Sequence, residues 1–141
     1  MIKKLLFGGF PLFFQDLSYA LLRVATGVLM ALLHGINKLP PSEKFVDGVS
    51  ALGFPLPFLF AWCAGLAEFG GGLLLALGLL TRPAAFFVAF TMAVAAFGRH
   101  WNDPFSDKEL SMVYLAIAFL FLVHGGGKWS LDRILFRSKS R

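Results

Sequence analysis

Apolar and polar positions fall into long blocks along this chain. Four apolar runs, each near the about 20 residues that cross a bilayer as a helix, are separated by short polar stretches. The first, LSYALLRVATGVLMALLHGINKL (17–39), follows Asp16 as a candidate N-cap and is stopped by Pro40 and Pro41. The second covers 57–80, with Pro55 and Pro57 at its start, where the first helical turn tolerates proline. The third, 83–101, opens on Pro83 after a very short Thr81–Arg82 link, which makes runs two and three an antiparallel hairpin. The fourth, 110–127, is entered through NDPFSDKE, where Ser106 and Glu109 have capping-box spacing, and it ends at a glycine triplet. Between runs one and two, PPSEKFVDGVSALGFPLP is polar and then amphipathic, the pattern of a short helix on the membrane surface. The pattern predicts an all-α fold: an integral membrane four-helix bundle over 17–127.

The ends carry the charge. Residues 1–16 read as an interfacial segment, with Lys3 and Lys4 at the headgroups and phenylalanines dipping into lipid. Pro11 and the lack of an Ala-x-Ala site argue against a cleaved signal peptide. Lys3, Lys4, Arg82 and the five basic residues of 128–141 fall on one side of the predicted bundle, with Lys38, Lys44, Arg99 and Lys108 on the other. That asymmetry predicts both termini in the cytoplasm and a multi-pass protein of the inner (cytoplasmic) membrane.

Composition narrows the class further. The chain is 57% hydrophobic and 15% charged, against about 45–50% and about 25% in soluble domains, so an ordinary soluble domain is excluded. At 141 residues a second core is excluded too. The net charge of +5 comes largely from the tail, which fits a juxtamembrane segment on the lipid bilayer rather than a nucleic-acid site. Cys63 is the only cysteine, so an internal disulfide or a CxxC pair is ruled out, and it reads as buried packing.

The polar residues inside the apolar runs are the candidates for chemistry. Arg23 and His34 are eleven residues apart, which at about 100° per residue returns them to one helix face, roughly 16 Å apart along the axis. Glu68, the one acid in AGLAEFGGGLLLALGLLTR (64–82), falls at mid-membrane depth on the antiparallel neighbour. Ala61, Gly65, Glu68 and Gly72 form a small-residue seam for close helix packing. A carboxylate there must pair or take a proton, so Glu68 is expected to pair with Arg23 or hydrogen-bond to His34. Such a contact either locks the register of two helices or handles a proton or ligand; a snorkelling Arg23 with a protonated Glu68 is the third arrangement. His100, in GRHW, reads as an interface anchor or site residue, and His124 as a cap on the last carbonyls of its helix. The three histidines lack ligand spacing, so no metal site is expected.

LLRVATGVLMALLHGINKL, GLAEFGGGLLLALGLLTRPAA, the connection from GRHW to DKEL, and GGGKWSLDRIL together span about 17–135, and in order and spacing they resemble the DoxX family of small four-helix membrane proteins. The resemblance implies interest in Arg23, His34, Gly35, Lys38, Glu68 and Arg82, followed by His100 and Trp129–Asp132. It implies a redox-linked membrane subunit that binds quinone or a similar small apolar ligand and works with a partner redox enzyme, because family members are linked to quinone-coupled sulfur oxidation and to oxidative-stress complexes. A non-enzymatic assembly or scaffold protein and a small transporter are the other readings. Four spans are few for a lone transporter, which would call for a homo-oligomer.

Overall fold

The structure is a computed structural model that describes residues 8–136; Lys3, Lys4 and the end of the basic tail lie outside the described residues. Four long helices pack as a bundle. Helix α1 is Leu12–Leu29, continued by a wide π turn, Met30–Gly35, and a tight turn, Ile36–Lys38. A surface helix, α2, follows at Glu43–Ala51, then α3 at Pro57–Leu77 and α4 at Thr81–Val94 with a π turn at Ala95–Arg99. Helix α5 is Phe105–His124, and a short α6, Leu131–Phe136, ends the described chain. Leu12–Lys38, Pro57–Leu77 and Thr81–Arg99 are long and apolar enough to cross a membrane. Helix α5 has a comparable length of 20 residues, but its first two turns carry Asp107, Lys108 and Glu109.

Several boundaries differ from the sequence expectation for physical reasons. Helix α1 begins five residues earlier than expected, because Pro11 rather than Asp16 forms its N-terminus. Proline fixes the entering backbone and needs no donor there. Asp16, inside the helix, accepts from Lys128 Nζ at 2.6 Å and ties α1 to the segment after α5. Helix α3 stops at Leu77 rather than 80, since Gly78 adopts the left-handed conformation (φ 66°) that ends helices. The Ser106–Glu109 capping box does not form: α5 starts at Phe105, already placing Ser106 inside the helix, where its hydroxyl donates to Asp107. The expected stop at the glycine triplet is present, with Gly125 at φ 76°. The surface helix also forms, with Ser42 Oγ accepting from Phe45 N.

The core runs along the bundle axis through Met30, Leu75, Ala85, Val88, Met92, Tyr114, Ala118 and Phe121. Most other large apolar side chains, such as Leu21, Leu33, Leu66, Phe86 and Phe119, point outward. A polar solvent would oppose that arrangement and hydrocarbon does not. Cys63, expected as internal packing, is on this outward face.

Helices α1 and α3 meet backbone to backbone. Gly27, Ala31 and Gly35 repeat every fourth residue on α1, and Gly72 faces the first two of them across the seam. A Cβ at Gly35 would overlap Phe69 N and Cα, and one at Gly27 would overlap Ala76 N and Gly72 O. Ala61, Gly65, Glu68 and Gly72 are all buried, as the small-residue spacing requires. At the far side of the bundle, Tyr19 closes the ring by donating to Gly125 O at 2.6 Å and packing edge-on against Phe121.

Candidate functional site

The acid that stood out in the sequence is fully buried, and its partner is neither Arg23 nor His34. Lys38 Nζ donates to Glu68 Oε1 at 2.5 Å. The lysine side chain is 31% exposed and the glutamate 0%. Close approach makes this pairing: with Gly35 against the backbone of Glu68 and Phe69, Lys38 is three residues beyond the crossing and one turn from the carboxylate. The π turn at Met30–Gly35 inserts extra chain before that point and rotates the end of α1, so the face shared by Arg23 and His34 in a regular helix does not persist to its C-terminal end.

Glu68 borders a cavity of about 400 Å³. One wall is α3, through Ala64 and Glu68; another is α4 and its π turn, through Thr91, Val94 and Arg99; the third is α2, through Phe45, Val49 and Leu52. Lys38, Lys44, Arg99 and His100 supply cationic or titratable groups at its border. His100 Nδ1 is 2.7 Å from Asp103 Oδ2, which fixes the ring orientation. Among the described residues, none donates a hydrogen bond to Glu68 Oε2, though that atom is buried. An acceptor left so in a low-dielectric interior is costly, and a donor from a bound molecule would remove the cost.

The structure therefore brings three of the six candidates, Lys38, Glu68 and His100, to one cavity. Arg23 is elsewhere, 1% exposed, where its guanidinium donates to Leu75 O, Ala76 O and Trp129 O. These are carbonyls near the end of α3 and in the segment after α5, so Arg23 ties three chain segments together at the end of the bundle where α3 and α5 finish. Asp132 completes that end, accepting from the amides of Leu80 (2.6 Å) and Thr81 (2.9 Å) and so capping α4 from a distance in sequence. Burial opposes the Asp132 charge, but the Thr81 and Leu80 hydrogen bonds and the Arg23 charge outweigh it and hold the carboxyl below its usual range.

His34 packs edge-on against Tyr114 of α5. Arg82 donates to Val123 O at 3.1 Å and braces the end of α5. His124 faces Leu120 O of its own helix through Nδ1, consistent with a helix-end role. Lys44 and Arg99 border the cavity although neither stood out as a site residue. Their signal was weak, a basic residue on an amphipathic surface helix and another beside His100. Among the described residues, no three His, Cys, Asp or Glu side chains gather in a way that would hold a metal.

Comparisons with known proteins agree with this architecture. The DoxX family model matches residues 18–101. The inner membrane protein YphA of Escherichia coli is 34% identical over 75% of this chain and 82% of its own length. The inner membrane protein YqjF of the same organism is 33% identical over 67% of this chain and 72% of its own. A Bacillus subtilis protein named "Putative oxidoreductase CatD" is 27% identical over 88% and 91% respectively. No solved structure matches the chain. A family match over more than half of the sequence, inner-membrane relatives that align along most of their length, and a helical bundle with an outward apolar surface lead to one conclusion: this chain is an inner-membrane protein of the DoxX family.

Proposed function

We propose that the Lys38–Glu68 cavity binds a small, largely apolar molecule of the quinone class, and that the protein serves as a redox-linked membrane subunit beside a partner enzyme. The observation that carries this reading is Glu68 Oε2, a buried acceptor at the border of a cavity, with no donor among the described residues. A quinol hydroxyl is a donor of the right kind. The apolar walls of Phe45, Val49, Leu52 and Val94 suit its ring, and the cationic border suits its carbonyl or phenolate oxygens. The volume lies within the usual range for small-ligand sites, about 300–1,000 Å³. A relative bearing an oxidoreductase name adds support. A single cysteine cannot cycle as an internal dithiol, so in this reading the electrons for quinone reduction come from the partner.

The test is equilibrium binding of a short-chain benzoquinone and its quinol to the purified protein in nanodiscs. Wild type is expected to bind the quinol, and Glu68→Gln to bind it at least about tenfold more weakly, the equivalent of one charge-assisted hydrogen bond, with a smaller effect on the quinone, which has no donor for the carboxylate. Absence of binding to wild type would overturn the reading and favour the scaffold role.

A further inference from the structure

Charge is unevenly shared around the rim of the cavity between α2, α3 and α4. Lys38, Lys44 and Arg99 border it against a single carboxylate, Glu68, and that carboxylate is taken by Lys38. His100 is held by Asp103. Among the described residues neither Lys44 nor Arg99 has an ion-pair partner. Asp47 is one turn from Lys44, a spacing at which helical charges pair, yet it borders a separate groove with Glu43 and Phe58. Helix α2 thus keeps its acids to one side and offers Lys44 to the cavity on the other. Arg99 arrives from α4, as the last residue of its π turn.

Two spans set the level of this rim in the membrane. Leu12–Lys38 and Thr81–Arg99 are long and apolar enough to cross, and each ends on a cation that borders the cavity. Lys38 and Arg99 therefore stand where hydrocarbon gives way to headgroups, the depth of phospholipid phosphates. Phe45, Val49, Leu52 and Val94 keep the walls apolar, and a cleft of one charge sign between low-dielectric walls focuses attraction on a counter-ion. The donors suit a phosphate. Arg99 offers a planar fork, Lys44 a point charge, and the Ser42 hydroxyl, whose oxygen accepts from Phe45 N, keeps its hydrogen to give. Gly48 borders the same space, and a Cβ there would meet nothing within 4 Å, so the α2 wall leaves room at this point.

We propose that Lys44 and Arg99 hold the phosphate of an anionic phospholipid at this rim, with Ser42 as a third donor. Two cations without a carboxylate select a lipid of net negative charge over a zwitterionic one, whose ammonium group brings its own counter-charge. The bound phosphate bridges two elements: α2, whose one buried residue is Val49, and the end of α4. The lipid thereby fastens α2, one wall of the cavity, to the bundle. This goes beyond the quinone reading and does not rest on it, since the free oxygen of Glu68 plays no part.

Native mass spectrometry of the full chain in a non-ionic detergent tests it, with titration by phosphatidylglycerol or by phosphatidylcholine of the same acyl chains. The detergent removes the surface potential through which any basic residue attracts an anionic bilayer. Wild type is expected to hold phosphatidylglycerol at least about tenfold more tightly than phosphatidylcholine, and Lys44→Gln and Arg99→Gln each to lose about tenfold in that affinity, the equivalent of a charge-assisted hydrogen bond. Both side chains are exposed, so folding does not depend on either. Lys108→Gln removes the same charge outside the cavity and is expected to bind as wild type does. Inorganic phosphate is expected not to displace the lipid; its binding at the rim in place of phosphatidylglycerol would overturn the membrane source. Equal retention of the two lipids, or of neither, by wild type would overturn the charge selection. A loss in Lys108→Gln as large as in Lys44→Gln and Arg99→Gln would overturn the site itself.

Discussion

Lys38 and Glu68, thirty residues apart in sequence, meet at 2.5 Å beside the close backbone crossing at Gly35. One is partly exposed at the end of its helix; the other is buried near the middle of α3. The pair thus links the loop end of the bundle to its interior, and it does so beside a cavity. Oε1 takes the lysine, and Oε2 has no donor among the described residues, as is also true of the buried Arg23 Nε and Thr81 Oγ1.

Removing the lysine strands a buried carboxylate. Lys38→Met is expected to cost about 1–3 kcal/mol, between the value of an exposed pair and that of a buried one, because Lys38 keeps partial access to solvent. The double variant Lys38→Met/Glu68→Gln should recover part of that loss. Thermal unfolding of the four proteins in one detergent gives the coupling, and strict additivity would contradict a direct interaction.

At Gly35 the seam leaves no room for a methyl group. Gly35→Ala is expected to separate α1 from α3 and destabilise the protein by about 1–3 kcal/mol, because the new Cβ overlaps the backbone of Phe69. Gly70→Ala, on the same helix as Glu68 but with open space at its Cβ, should be neutral or stabilising by up to about 1 kcal/mol. Unfolding midpoints that fall equally in both variants would rule out the seam as the cause.

Arg23 has a different task from the one its position suggested. Arg23→Met removes a side-chain donor from the carbonyls of Leu75, Ala76 and Trp129, of which Leu75 O keeps the Gly78 amide, and is expected to cost about 2–4 kcal/mol; Arg23→Lys should restore only part because an ammonium cannot span the same three acceptors as a planar guanidinium. Quinone affinity measured on the folded fraction should stay at the wild-type value, since Arg23 does not line the cavity.

Acid should weaken the end of the bundle where α4 begins and α5 finishes. The folded-state pKa of Asp132 is depressed, so its contribution is present above the unfolded value of about 3.9 and is lost as pH falls through the lower, folded value. Asp132→Asn is expected to lower stability by about 1 kcal/mol at neutral pH through loss of the cap on α4, with the gap to wild type closing below about pH 4. Melting curves of both proteins between pH 3 and 7 check this; a constant gap would contradict it.

Glu68 was legible in the sequence because a lone acid in an apolar run must be accounted for, and its burial followed from the spacing of Ala61, Gly65 and Gly72. Its partner was not legible. Projecting Arg23 and His34 onto one face assumed a regular helix, and the π turn at Met30–Gly35 breaks that regularity just before Lys38. Arg23 also has a competing demand. Helix α3 ends earlier than its apolar run, and its terminal carbonyls take up the guanidinium. The cavity itself is a product of packing: Lys44 on a surface helix, Arg99 in a π turn and Thr91 on α4 have no sequence periodicity in common.

The central claim is that the carboxylate of Glu68 faces a bound molecule. An experimental structure of the protein extracted with its native lipids tests it most directly. The account predicts non-protein density in the Lys38–Glu68 cavity, within hydrogen-bonding distance of Glu68 Oε2. A cavity closed by α2, with Oε2 satisfied by a protein group, would contradict it.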